Sequence, residues 1–258
     1  MSIQLIKGDC LVEMPKLEAG SIDLVLADVP YGTTRSAWDA VIPFEPMWEC
    51  LDYVSKKNAA KCIFGAEPFS SSLRMSNIHK FKYDWVWVKN LKTGNLNAKF
   101  MPMGGHEYIS VFYDAIPTYN PQKRKRTTEQ KSGNKKNSKT SVYGSQREDY
   151  IDLQSNWINP DTVIDHIKCV HNSSGKLHPN EKPVELMIYF IKTYTNEGDT
   201  VLDFTMGSGT TGVACKLLNR KFIGIEKDPE IFQTAWDRIY HGKEKKPKPK
   251  KNDQPTLF

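Results

Sequence analysis

Residues 201–226, VLDFTMGSGTTGVACKLLNRKFIGIE, constrain the fold more than any other stretch. An apolar run at 201–204 carries Asp203 and Phe204 and leads into the tight turn Gly207-Ser208-Gly209; from Thr210 to Leu218 the apolar residues take helical spacing. A second apolar run at 222–225 closes on Glu226. Strand, glycine turn, helix, strand and terminal acid make half of a nucleotide-binding βαβ unit, with the acid placed to accept hydrogen bonds from ribose hydroxyls. The pattern equally serves a βαβ unit whose glycines only let helix and sheet pack closely. No Lys-Ser/Thr pair follows the glycines, so the turn lacks the charge that holds a triphosphate. A nucleoside ligand with no phosphate chain suits it better.

The rest of the chain repeats the alternation of strand and helix. Residues 3–6 read as a short strand running into Gly8, Asp9 and Cys10, with Asp9 a turn former or the cap of a helix over 11–17. IDLVLA at 22–27 is a continuous apolar run of the kind buried on both faces of a parallel sheet, and it stops at Asp28-Val29-Pro30-Tyr31-Gly32. Open α/β sheets bind ligands at the carboxyl ends of their strands, which makes Asp28 and Tyr31 candidates for chemistry. A plain Pro-Gly turn opened by Asp28 is the alternative. The spacing predicts a helix over 46–56, a strand at 61–66, a helix over 67–78, and strands at 83–88 and 108–113. Gly94, Pro102, Gly104 and Gly105 leave no helix between the last two, so they are expected as an antiparallel pair at one sheet edge. Helices at 184–194 and 229–240, the second capped by Asp228, complete the pattern. The expected fold is α/β, a Rossmann-like, doubly wound, mostly parallel sheet with one antiparallel edge strand.

A chain of 258 residues with this pattern reads as one domain with an insertion. Residues 1–116 and 178–241 would be its two halves, 117–177 the insertion and 242–258 a Lys/Pro tail too polar to pack. The insertion concentrates Lys123, Arg124, Lys125, Arg126, Lys135, Lys136 and Lys139, and the whole chain carries +6. Such a run fits a solvated loop, or a track along a phosphate backbone where each neutralised phosphate releases counterions. Tyr143, Trp157 and His166 would stack on bases there or build a small satellite core. The five cysteines show no Cys-x-x-Cys spacing, which argues against a disulfide framework and against a zinc site; no metal is expected. No stretch approaches membrane-spanning length, so a soluble, cytoplasmic protein is the expectation.

Taken in order, Gly8-Asp9-Cys10, Asp28-Val29-Pro30-Tyr31, residues 64–69 (FGAEPF), Trp87-Val88-Lys89, His106-Glu107, residues 178–183 (HPNEKP), the glycine turn and Gly224-Ile225-Glu226 resemble the S-adenosylmethionine-dependent DNA amino-methyltransferases. The catalytic motif precedes the cofactor turn, as in the family's permuted β arrangement, whose target-recognition region lies where the basic insertion does. Two departures stand out. The family usually has proline at the position of Val29, and Thr205-Met206 stands where Pro-Phe or Asp-Phe is common.

The resemblance implies transfer of a methyl group to an exocyclic amine, N6 of adenine before N4 of cytosine because the motif's first acid is Asp28. Asp28 and the Val29 carbonyl would accept the amine's two N–H bonds, with Pro30 and Tyr31 completing the motif and Tyr31 stacking on a base flipped out of duplex DNA. Asp203, Phe204, Gly207, Ser208, Gly209 and Glu226 with Lys227 would hold the cofactor's methionine and ribose, Lys182 and Thr210 its carboxylate, and Asp9 and Cys10 its adenine. An inactive DNA-binding relative and an RNA methyltransferase fit the same residues. Relatives are often homodimers, and the final Gln254-x-x-Leu257-Phe258 is similar to peptides that dock on a replication sliding clamp.

Overall fold

The computed structural model describes residues 2–33, 39–125, 157–169 and 181–242. It divides into two units, Met1–Asn120 with Thr162–Phe258, and Pro121–Asp161. The larger unit is built on an eight-stranded sheet whose strands, numbered along the chain, are β1 (Ile3–Lys7), β2 (Ile22–Ala27), β3 (Ser55–Gly65), β4 (Phe81–Thr93), β5 (Gly104–Phe112), β8 (Val163–Ile164), β9 (Thr200–Asp203) and β10 (Lys221–Glu226). Their spatial order is β1-β10-β9-β2-β3-β5-β4-β8, and every neighbouring pair is parallel except the two made by β5. The expected antiparallel pair of β4 and β5 is present. The reversed strand lies between β3 and β4, and two-residue β8 extends the sheet beyond them.

β2 shows why the sheet needs cover on both faces. Leu24 and Leu26 pack with α4 (Val184–Tyr194), α5 (Thr210–Leu217) and α6 (Pro229–His241). Val25 and Ala27, one residue out of phase, pack with α1 (Cys10–Glu13), α2 (Phe44–Val54) and α3 (Phe69–Ser76). Each fully buried leucine or valine contributes about 1.5–3 kcal/mol from the area removed from water.

Several helix boundaries move for local reasons. The helix expected over 11–17 is cut at Glu13, because Pro15 has no N–H for the next helical bond, and a 3₁₀ turn, Met14–Lys16, replaces it. Asp9 caps α1 through Leu11 N at 3.0 Å. β3 starts at Ser55, six residues ahead of the expected strand, across a register shift against β2; the exposed Lys56, Lys57 and Asn58 hide that start from a hydrophobicity reading. Asp228 caps α6 by accepting from Glu230 N and Ile231 N at 2.8 and 2.9 Å.

In the smaller unit β6 (Arg124–Lys125) pairs antiparallel with β7 (Trp157–Ile158). Arg124 Nη2 lies 3.2 Å from Asp161 Oδ2, and the Lys125 ammonium stands 5.9 Å from the centre of the Trp157 ring. Arg126, Lys135, Lys136, Lys139 and Tyr143 lie outside the described residues, as do residues 254–258. No described helix is long and apolar enough to cross a membrane.

Candidate active site

The sheet order creates the site. From β9 the chain crosses through α5 to β10 on one side, and from β2 it crosses through α2 to β3 on the other. Right-handed crossovers running in opposite directions put their helices on opposite faces, leaving a crevice between the carboxyl ends of β9 and β2. A pocket of about 1030 Å³ opens there, lined by Asp9, Asp28, Asp203, Gly207 and Glu226 among others. Residues 175 positions apart in the chain, Asp28 and Asp203, thus end neighbouring strands.

The Asp28 carboxylate is held on both oxygens. Oδ1 accepts from the Tyr31 hydroxyl at 2.7 Å and Oδ2 from Lys182 Nζ at 2.7 Å. Its backbone carbonyl accepts from Thr205 Oγ1 at 3.2 Å, tying the end of β2 to the loop after β9. The Tyr31 ring stacks on Phe69 with centroids 5.3 Å apart, and Tyr31 N and Gly32 N both donate to Asp39 Oδ1, at 2.9 and 3.0 Å. The motif's turn is therefore fixed by a buried side chain eight residues on. Burial and the neighbouring Asp28 hold the Tyr31 hydroxyl well above its ordinary pKa.

Behind Asp28 stands a chain of alternating charge. Lys182 Nζ also lies 3.1 Å from Glu107 Oε2, and Lys89 Nζ lies 3.0 Å from Glu107 Oε1. Burial opposes the charge on Lys182, but the carboxylates of Asp28 and Glu107 outweigh it and hold the ammonium above its ordinary pKa. Burial likewise opposes ionisation of Glu107, and the two lysines more than reverse that, so its pKa falls. Two cations and two anions make a neutral set whose lysines are buried and whose carboxylates are partly exposed.

The other wall is the glycine loop. Asp203, buried at the end of β9, accepts from Thr211 Oγ1 at 2.6 Å and from Thr205 N at 3.2 Å. Burial, with Asp28 and Glu226 nearby, pushes its carboxyl up to about 7 against those two hydrogen bonds. Glu226 accepts from Gly207 N at 3.0 Å on one oxygen and from Asp228 N at 2.8 Å on the other. Burial raises its pKa too. At Gly209, φ is +79° and a Cβ would stand 2.8 Å from Ile239 Cδ1, so only glycine fits under α6. Arg238 of α6, buried, donates to Ser208 O and Thr210 Oγ1 at 3.3 and 3.0 Å and pairs with Glu181.

With this geometry in place, residues 22–237 match the N6/N4 DNA methylase family. The chain belongs to that family. It is 29% identical to the DNA adenine methyltransferase YhdJ of Escherichia coli K12, over 91% of this chain and 82% of YhdJ. It is 27% identical to the type II methyltransferase M.HpaI of Haemophilus parainfluenzae, over 93% and 74%. Its fold superposes on the cytosine-N4-specific PvuII DNA methyltransferase with a TM-score of 0.68 at 18% identity, covering 93% of this chain and 86% of that one. The complex of M1.HpyAVI with S-adenosylmethionine gives 0.58 at 23%, covering 92% and 99%.

The methylase fold gathers Asp9, Cys10, Asp28, Val29, Pro30, Tyr31, Lys182, Asp203, Phe204, Gly207, Ser208, Thr210, Glu226 and Lys227 around one pocket. Lys182, expected at the cofactor's carboxylate, has its ammonium on Asp28 and Glu107. Lys227 reaches Asp9 Oδ2 at 3.2 Å. Sequence reasoning gave no role to Glu107, Lys89, Asp39 or Arg238. Lys89 and Glu107 each sit beside strongly apolar strand residues, Trp87-Val88 and Tyr108-Ile109, whereas Asp39 and Arg238 fall in turn and helix segments where a charge is ordinary in sequence although both are buried in the fold.

Proposed function

We propose that this methylase transfers a methyl group to N6 of adenine in double-stranded DNA, with the base turned out of the helix into the pocket between β9 and β2. The observation that carries the reading is that the Asp28 carboxylate and the glycine loop share that pocket. The kinship with an adenine methyltransferase and the acid at Asp28 favour adenine over cytosine.

The pocket suits a ligand that carries positive charge at a sulfur and an amine. Eight acidic residues line it, Asp9, Asp28, Asp203 and Glu226 among them, against the three lysines Lys89, Lys182 and Lys227. Gly207, at φ +51° with nothing within 4 Å of where a Cβ would stand, leaves the space beside the turn open. S-Adenosylmethionine, the family's methyl donor, supplies an electrophilic methyl group. Asp203 and the turn at Gly207, Ser208 and Gly209 would hold its methionine part, Glu226 its ribose hydroxyls, and Asp9 its adenine side.

An aromatic amine is a poor nucleophile because its lone pair is delocalised into the ring. Asp28 and the Val29 carbonyl counter this by accepting the two N–H bonds, drawing density onto nitrogen and orienting it. Lys182 and Tyr31 position the Asp28 carboxylate, and a target amine would take the place of the Tyr31 hydroxyl on Oδ1. Val29 serves in place of proline because the function lies in the backbone oxygen, and Asp39 supplies the turn rigidity that a second proline would give. Lys123, Arg124 and Lys125, with the basic residues that follow them in sequence, would meet phosphates.

Labelled S-adenosylmethionine with unmethylated duplex DNA, followed by nucleoside analysis, tests the reading. Label in N6-methyladenine is expected, and Asp28→Ala should lose at least about a hundredfold in rate while still binding the donor in calorimetry. Label in N4-methylcytosine would move the target to cytosine. No label in any DNA nucleoside would end the reading.

A further inference from the structure

β4 and β5 do not stop at the sheet. Their pairing continues past the buried core to Thr93 opposite Gly104, and residues 94–103 close the hairpin through a turn at Gly94, φ +89°, and a single 3₁₀ turn at Asn95–Asn97. The root of this finger is part of the pocket wall: Lys89, Leu91, Thr93, Gly104 and His106 all line it. The tip beyond that wall is apolar and bare. Leu96 is 95% exposed, Phe100 88% and Met101 58%. Large side chains in that state, clustered on ten residues, mark a contact surface.

The charge around them identifies the occupant. From Asn90 to Gly105 the sequence NLKTGNLNAKFMPMGG contains two lysines, Lys92 and Lys99, and no acid. Two copies meeting through this patch would bring like charges together, which disfavours self-association. A polyanion fits it. A base drawn into the pocket leaves a gap in the stack and an orphaned partner base at the pocket mouth, where this finger stands. Apolar side chains that wedge between base steps are an established way to occupy such a gap.

We infer that the β4–β5 finger is a duplex wedge: Leu96 and Phe100 enter the base stack beside the extruded nucleotide, while Lys92 and Lys99 meet the flanking phosphates. The inference rests on the proposed function and adds the surface that opens the duplex. The tip, which lies outside the pocket lining, acts before methyl transfer, so its contribution ends once the target base is unpaired.

The test compares the full-length chain with its Leu96→Ala/Phe100→Ala variant in single-turnover methylation of an oligonucleotide containing the target, mapped first with the unaltered protein. One duplex has the target base paired and a second has it mispaired. The double variant should be slower by about tenfold or more on the paired duplex and within about threefold on the mispaired one. Both side chains are exposed, so its unfolding midpoint should match that of the unaltered protein. Equal rates on the paired duplex, or equal loss on both, overturns the wedge. So does a change from dimer to monomer in sedimentation, which would make the tip a contact between copies. If the unaltered protein methylates neither duplex, the proposed function has failed and the wedge falls with it; loss confined to the variant concerns the wedge alone.

Discussion

Asp203 should make this protein less stable as the pH rises towards neutrality, the reverse of the ordinary aspartate. Its carboxyl is pushed by burial from an ordinary value of 3.8 up to about 7. The folded state therefore binds the proton more tightly than the unfolded chain does. Below pH 3.8 the group is neutral in both states and costs nothing. Between 3.8 and about 7 the unfolded chain ionises freely and the folded one does not, so stability falls by about 1.36 kcal/mol per pH unit, to a total of about 4 kcal/mol. Asp203→Asn removes this dependence. Its amide adds a donor to a buried site at a cost of about 1–3 kcal/mol, but that offset is independent of pH. Urea unfolding of both proteins from pH 4.5 to 7.5 isolates the effect. The stability of the variant minus that of the unaltered protein should climb by about 3 kcal/mol across the range. Parallel curves, with a difference flat to about 0.5 kcal/mol, would show that Asp203 ionises as easily folded as unfolded and would refute the argument from burial.

Two further perturbations test the surroundings of the same pocket. Glu107→Gln leaves Lys89 buried with no opposite charge, and unfolding should cost about 3–5 kcal/mol less by the same urea measurement; a change under about 1 kcal/mol would mean the set is held by other contacts. Gly209→Ala must hold a side chain at φ +79° against Ile239 and Ala235, and should lose about 1–3 kcal/mol of stability and weaken donor binding in calorimetry.

The sheet was legible wherever a strand is buried on both faces or a helix carries its own punctuation. IDLVLA can be little else than a central parallel strand, and Asp228 with Pro229 marks the start of α6 to the residue. What sequence could not carry was partnership across long separations. Lys182 is 154 positions from Asp28, and nothing local distinguishes a lysine aimed at a cofactor from one that steadies a carboxylate. Asp39 reads as an ordinary surface acid until the backbone folds Tyr31 N and Gly32 N onto it. The position of β5 between β3 and β4 likewise follows from pairing, which alternating hydrophobicity does not specify.

β1 hydrogen-bonds to β10, and β9 separates β10 from β2. During synthesis, then, β1 must wait for a partner that begins 214 residues after it ends, counting from Lys7 to Lys221, and β2 waits for β9 with one edge exposed. Loop closure over such spans is slow, and an open apolar edge invites aggregation in the interval. A product truncated ahead of β10 would leave β1 and one edge of β9 without a partner strand.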